Sequence, residues 1–189
     1  GRITGIDIGR EYKGTIPNSA FMNKRYGRFG WSKGSLLNFC IGQGEILVTP
    51  IQVFNYVNLL ATKGNSNSPH LVSSSKKDSQ NEIPLSSQIW DRIIFDMGQV
   101  VSHAKGTGKN ADPAIQGAKI YGKTGTAENP HGEDHAWFIG WLEYEKKKFS
   151  IVVLLENSGS GGAVAAPLAK NIFDKIILGI NNSKQISMK

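Results

Sequence analysis

Lys123-Thr-Gly-Thr126 puts a cation, two hydroxyls and a stretch of bare backbone on four consecutive residues of the segment Lys119-Ile-Tyr-Gly-Lys-Thr-Gly-Thr-Ala127. On a strand, successive side chains alternate, so Lys123 and Gly125 share one face while Thr124 and Thr126 share the other. Twist and a curved strand end can still bring both threonine hydroxyls to a groove at the sheet edge. Gly125 has no side chain, so a second extended chain can lie against the backbone there and exchange main-chain hydrogen bonds, as in strand addition. A lysine beside such a groove can hold a serine hydroxyl or a carboxylate, and an N–H of the same strand can point at a developing oxyanion. That set describes a peptide cradle.

Two other chemistries compete, one on the same residues and one just downstream. Gly117-Ala-Lys-Ile-Tyr-Gly-Lys-Thr124 satisfies the phosphate-cradling pattern G-x-x-x-x-G-K-[ST], which makes a P-loop nucleotide hydrolase the alternative enzyme. A P-loop has to open a helix whose N-terminal amides bind phosphate. Here Asp112-Pro113 precedes and Gly-Thr-Ala-Glu-Asn-Pro130 follows, a context that argues against a helix start. The run Ile151 to Leu155 ending at Glu156 can imitate a magnesium-holding strand, but fits a core strand equally well. His131-Gly-Glu-Asp-His135 gathers two imidazoles and two carboxylates, yet in a turn the two histidines cannot share a helical face as H-E-x-x-H requires. His131-x-Glu133 also lacks the downstream P-C-x-x-C of a zinc deaminase. The cluster is read as a solvated turn, and no metal is expected.

The elements that must position the cradle follow from periodicity. Residues 1 to about 35 are rich in Gly, Arg, Lys and aromatics without a sustained period and read as irregular, with the aromatics of Arg25-Tyr-Gly-Arg-Phe-Gly-Trp31 packing onto the core. Thr49 caps a helix with Pro50 at its first position, and Ile51, Phe54, Val57, Leu60 and Ala61 continue its apolar stripe to Gly64. Asn65 to Pro69 is a turn, His70-Leu-Val72 a short strand, and Ser73 to Pro84 a polar loop. Ser86 or Ser87 caps a second helix with Ile89, Trp90, Ile93, Ile94, Met97, Val100 and Val101 on its apolar side, stopped by Gly106-Thr-Gly108. Three consecutive antiparallel strands are expected at about 117–126, 135–144 and 149–156, then a helix from Ala163 to Leu178. The fold class is therefore α+β, an antiparallel sheet with helices on both faces. Residues 1–180 form the domain and 181–189 a frayed tail.

A length of 189 residues with 39% hydrophobic and 9% aromatic content suits one globular domain. Nothing approaches the roughly 20 apolar residues of a membrane span. Gly1 in place of an initiator Met reads as the start of a processed or excised piece with its anchor elsewhere. Cys40, the sole cysteine, excludes an internal disulfide and reads as a small buried hydrophobe. The net charge of +7 invites nucleic acid, but Lys76-Lys77 and Lys146-Lys147-Lys148 sit in turns without interleaved aromatics, so no nucleic-acid partner is expected.

The wider order of motifs carries a family resemblance. Thr4-Gly-Ile-Asp7, Ile41-Gly-Gln-Gly-Glu-Ile-Leu-Val-Thr-Pro-Ile-Gln52, Lys-Thr-Gly-Thr-Ala127, Asp134-His-Ala-Trp-Phe-Ile-Gly-Trp141, Phe149 to Asn157 and Ala165-Ala-Pro-Leu-Ala169 occur in sequence. In that order they resemble the C-terminal part of the transpeptidase domain of class B penicillin-binding proteins, most of all the elongation type. The resemblance runs from about Gly1 to Gly179 and implies an incomplete penicillin-binding protein/serine β-lactamase-like fold. It implies a peptidoglycan D,D-transpeptidase, inhibited by β-lactams and without a cofactor. It carries Lys123 as a catalytic partner of a serine, Thr124 and Thr126 as binders of a carboxylate, Gly125 and Glu128 as edges of the groove, and the Thr126 amide as one arm of an oxyanion hole. Trp137 and Phe138 are expected to pack the neighbouring strand. The implied partners are stem peptides, β-lactams, the upstream half of the same protein, a shape-determining glycosyltransferase and elongation scaffold proteins. The implied place is the periplasmic face of a bacterial inner membrane, anchored by a segment outside this chain. A binding module that keeps the groove without chemistry is the remaining alternative.

Such a transpeptidase needs a nucleophilic Ser-x-x-Lys. Ser73/Lys76, Ser74/Lys77 and Ser102/Lys105 match, but about one or two matches arise by chance. The first two pairs lie in a polar loop and Ser102 at a helix end, whereas a reactive serine opens a buried helix. Ser79-Gln-Asn81 matches the family's second element, Ser-x-Asn, but follows the Gly-Gln-Gly segment that it should precede. All four are read as coincidences, and the isolated chain is expected to be inactive.

Overall fold

The computed structural model describes residues 1–72 and 80–187. In chain order its elements are α1 (Ser19–Tyr26), α2 (Lys33–Cys40), α3 (Pro50–Ala61), β1 (Asn65–Asn67), β2 (Gln80–Glu82), α4 (Ser87–Ser102), a 3₁₀ turn at Lys109–Ala111, β3 (Lys119–Ala127), β4 (His135–Tyr144), β5 (Lys147–Leu155), a π-helical turn at Gly161–Ala165, and α5 (Ala166–Ser187). β3, β4 and β5 form an antiparallel sheet in that order, and β1 pairs with β2 in a separate two-stranded ribbon.

The central strand β4 is buried on both faces, and its alternation divides the core in two. Ala136, Phe138 and Leu142 point to one face and pack with Ala166, Ala169, Phe173 and Ile177 of α5. Trp141, with Ile139 beside it, points to the other and meets Val57, Leu60 and Ala61 of α3 and Trp90 of α4. Complete burial of Phe138 contributes roughly 1.5 to 3 kcal/mol, and its ring needs Gly122 on the neighbouring strand. A Cβ there would stand 2.4 Å from the ring's outermost carbon. Gly140, directly opposite Gly122, is equally constrained: its Cβ would fall 2.1 Å from the Tyr121 carbonyl oxygen.

α3 starts as its sequence dictates. Thr49 Oγ1 accepts from the Gln52 amide, Gln52 Oε1 accepts from the Thr49 amide, and Pro50 occupies the first turn. The same Gln52 side chain donates to the Arg2 and Lys13 carbonyls, so one capping residue also anchors the N-terminal segment. The β4–β5 connection is a two-residue turn, Glu145-Lys146, with both residues at positive φ (51° and 64°), the backbone of a type I′ hairpin.

Five expectations change. Residues 1–35 are not wholly irregular: α1 and α2 form there, capped by Asn18 and Ser32, whose oxygens accept from the Phe21 and Gly34 amides. The caps, not a buried stripe, start both helices, which is why hydrophobic periodicity misses them. The aromatics around Arg25 to Trp31 do not reach the core; Phe29 is 93% exposed and Tyr26 is also exposed. Cys40 is exposed, because α2 has no facing layer and Leu36, Leu37 and Ile41 are exposed with it. His70-Leu-Val72 is not a strand. The short strands are instead the polar β1 and β2, whose pairing rests on backbone bonds and leaves no apolar alternation to read. α5 runs past Leu178 to Ser187, tied down where Tyr144 Oη donates to Asn181 Oδ1 at 3.1 Å and Lys184 pairs with Glu145 at 2.5 Å.

Candidate substrate-binding edge

β3 is an edge strand, and the Lys-Thr-Gly-Thr residues occupy its second half with one side unpaired. Two carbonyls show which residues face outward. The Thr124 carbonyl accepts from Lys123 Nζ at 2.7 Å, and the Thr126 carbonyl accepts from Gln43 Nε2 at 3.4 Å. In an antiparallel ladder the N–H and C=O of one residue point the same way, and the direction alternates. The amides of Thr124 and Thr126 therefore also face the free edge, while those of Lys123 and Gly125 pair inward with β4.

The two hydroxyls are each held by a different element. Thr124 Oγ1 donates to Thr107 Oγ1, on the loop after α4, at 2.8 Å. Thr126 Oγ1 accepts from the Gly161 amide at 3.4 Å, at the start of the π-helical turn. That turn sits against the strand because Gly161 lacks a side chain: a Cβ would stand 2.2 Å from the Gly125 oxygen and 2.3 Å from the Trp137 oxygen. Gly125 itself lies against Trp137, its Cβ position 3.2 Å from that residue's Cβ. The opening for a second chain is thus the strand's edge.

Lys123 is exposed and Glu128 lies exposed one residue beyond β3. Trp137 is half-buried and Phe138 fully buried, both in the sheet as expected. Sequence reasoning missed Thr107, which it took only as part of a helix stop, and Gln43, which it quoted without a role. Neither carries a local signal, since each reaches the strand from a distant loop.

The P-loop reading falls at the same place. Lys123 is the fifth residue of a nine-residue strand, so no helix opens after Gly117-Ala-Lys-Ile-Tyr-Gly-Lys-Thr124 and no P-loop forms. In the His131 to His135 turn, Asn129 organises the loop by donating to Asn157 Oδ1 and the Glu133 carbonyl, and His135 Nδ1 accepts from the Asn157 amide. Among the described residues no three His, Cys, Asp or Glu side chains gather as a metal site. Ser102, the last residue of α4, donates its hydroxyl to the Gly98 carbonyl. Ser73, Ser74, Lys76, Lys77 and Ser79 lie outside the described residues.

An antiparallel sheet between one helix and a helix pair, with Lys-Thr-Gly-Thr on its free edge, is an incomplete part of the transpeptidase fold of penicillin-binding proteins. The chain belongs to the penicillin binding protein transpeptidase domain family, whose model matches residues 1–174. Peptidoglycan D,D-transpeptidase MrdA of Haemophilus influenzae is 34% identical over 92% of this chain and 30% of its own length. Among solved structures, Pseudomonas aeruginosa PBP2 in complex with WCK 5153 superposes with a TM-score of 0.77 at 33% identity, covering 89% of this chain and 38% of that one. Helicobacter pylori PBP2 in complex with MreC gives 0.76 at 30% identity over 92% and 33%. The chain spans about a third of the length of these relatives.

Proposed function

We propose that this chain is the substrate-holding part of a peptidoglycan D,D-transpeptidase, an enzyme that cross-links stem peptides through a serine acyl-enzyme and is inhibited by β-lactams. The observation that carries the reading is the outward-facing edge at Thr124 and Thr126, with both hydroxyls and Lys123 beside it. An extended stem peptide lies along this edge as a fourth strand, and Thr124 and Thr126 donate to its terminal carboxylate, or to that of a β-lactam. Gly125 and Glu128 border the groove.

The nucleophilic serine and its lysine base lie outside this chain in this reading. Serine attack on the penultimate D-Ala carbonyl gives a tetrahedral oxyanion, and the Thr126 amide, already directed at the free edge, donates to it. The lysine base takes the serine proton during the attack and hands it to the departing amine, so that collapse breaks the amide bond and releases D-Ala. The amine of a neighbouring strand then attacks the ester, gives up its proton and regenerates the serine. Lys123 bonds a serine hydroxyl of the proton-transfer network, after its ammonium leaves the Thr124 carbonyl.

Among the described residues no helix is long and apolar enough to cross a membrane. A membrane anchor, residence at the periplasmic face of the inner membrane, and work beside a shape-determining glycosyltransferase and elongation scaffold proteins are further parts of the proposal. The H. pylori PBP2 complex with MreC supports the scaffold. The test is acylation of the parent protein by a fluorescent penicillin, with peptide mapping of the label. A label on a serine upstream of Gly1 is expected; a parent protein that takes no label would overturn the reading.

A further inference from the structure

We propose that Thr107 is a positioning residue for carboxylate recognition, acting through the hydroxyl of Thr124. This rests on the reading of Thr124 as a carboxylate donor. A hydroxyl has one proton to give and lone pairs to receive. If Thr124 spends its proton on a neighbour, it presents only lone pairs to a ligand anion, which repels them. Thr107 Oγ1, 2.8 Å away, accepts the Thr124 proton while the edge is free, and it removes that conflict when an anion arrives: both hydroxyls turn, the Thr107 proton fills a Thr124 lone pair, and the Thr124 proton is left for the carboxylate. The two hydroxyls then polarise in series, which strengthens the outer bond.

Thr126 gets the same service by other means. Its partner is the Gly161 amide, which can only donate, so the Thr126 proton is free as well. With a carboxylate bound both threonines are donors toward one edge, one set by a backbone N–H and the other by a side chain that substitution can remove.

Thr107 is held firmly enough to do this. The Gly108 amide donates to the Val100 carbonyl at 2.9 Å, and Gly106 is pressed on the same carbonyl, where a Cβ would stand 2.3 Å away. The Thr107 carbonyl rests on Gly162, whose Cβ position is 2.7 Å from it, and Asn110 Nδ2 donates to the Gly162 oxygen at 3.1 Å. The turn is clamped between the end of α4 and the π-helical turn that carries the Thr126 partner.

The test uses the parent protein and compares acylation rates for benzylpenicillin and its methyl ester, in which the carboxylate is masked. Thr107→Val is expected to lower the acid-to-ester rate ratio by about tenfold, the scale of one lost hydrogen bond, and Thr107→Ser to restore it. Should the valine variant fold poorly, Thr107→Ala is expected to show the same loss in ratio. An unchanged ratio in a folded variant, or equal losses for acid and ester, would overturn the proposal. A wild-type parent that neither compound acylates would instead sink the transpeptidase reading beneath it.

Discussion

Residues 1–48 and residues 86–187 are built on different principles. In the second stretch the sheet has an apolar layer on each face, and Phe138, Trp141, Leu142 and Phe173 are completely buried. In the first, Met22 is the only buried residue, while Ile3, Tyr12, Ile16, Phe29, Leu37 and Ile41 are among many exposed apolar side chains. What holds the first stretch is polar. Glu11 accepts from the Thr4 and Gly5 amides, Asp7 from those of Leu71 and Val72, Tyr26 donates to Glu45, and Thr15 bridges Leu47. One region is stabilised by burial. The other is a set of hooks around surface that monomers seldom leave bare.

The largest expected effect tests whether the two regions suffice together. Incubated with a fluorescent penicillin and run on a denaturing gel, the isolated chain is expected to take no label, because the edge binds but supplies no nucleophile. On a sizing column it is expected to self-associate through the bare apolar surface of residues 1–48. A monomer labelled at Ser102 or within residues 73–79 would show that the sequence reading discarded the true nucleophile.

Next comes Lys123→Ala in the parent protein, expected to slow β-lactam acylation by about 10² to 10⁴ with little change in melting temperature. The lysine is exposed and its one hydrogen bond goes to the adjacent carbonyl, so removing it costs the fold little. Parallel losses of rate and melting temperature would make it a structural residue.

The contrast between the regions also explains what the sequence disclosed. α3, α4 and the three main strands were legible because each presents an apolar stripe or alternation to a layer that exists in this chain. Lys123 to Thr126 was legible because bare backbone, hydroxyls and a cation are adjacent in sequence. α1 and α2 were not, since their caps act locally and their apolar residues face nothing here. Cys40 was misplaced for the same reason: apolar neighbours in sequence predict burial only where a partner layer is present. Thr107 and Gln43 were illegible as site residues because they reach β3 across 17 and 83 residues of chain.

A smaller effect measures the difference directly by thermal unfolding. Phe138→Ala is expected to cost roughly 3 to 5 kcal/mol, a large cavity in a completely buried place. Phe29→Ala, at 93% exposure, is expected to stay within about 0.5 kcal/mol. Comparable losses at both sites would mean that residues 1–48 carry a core of their own.

The smallest expected effect separates hooks from burial by pH. Amide donation from Leu71, then from Val72, holds the Asp7 carboxyl below its ordinary 3.8. Desolvation pushes Glu11 upward, but the bonds from Thr4 and Gly5 outweigh it and leave the carboxyl below its ordinary 4.5. A carboxylate whose folded-state value is depressed contributes stability that is present above its unfolded value and lost as pH falls through the folded one. The hooks are therefore unaffected from neutrality down to the ordinary carboxylate range, and release only below it. Asp7 is exposed and Glu11 only half-buried, so solvent screens their contribution, which is why this effect ranks last. Hydrogen exchange at about pH 3 against about pH 6, corrected for intrinsic rates, is expected to show lost protection at Thr4, Gly5, Leu71 and Val72 with β3 to β5 unchanged. Equal loss of protection in the sheet would mean that the two regions unfold as one unit and that the hooks are part of a single cooperative core.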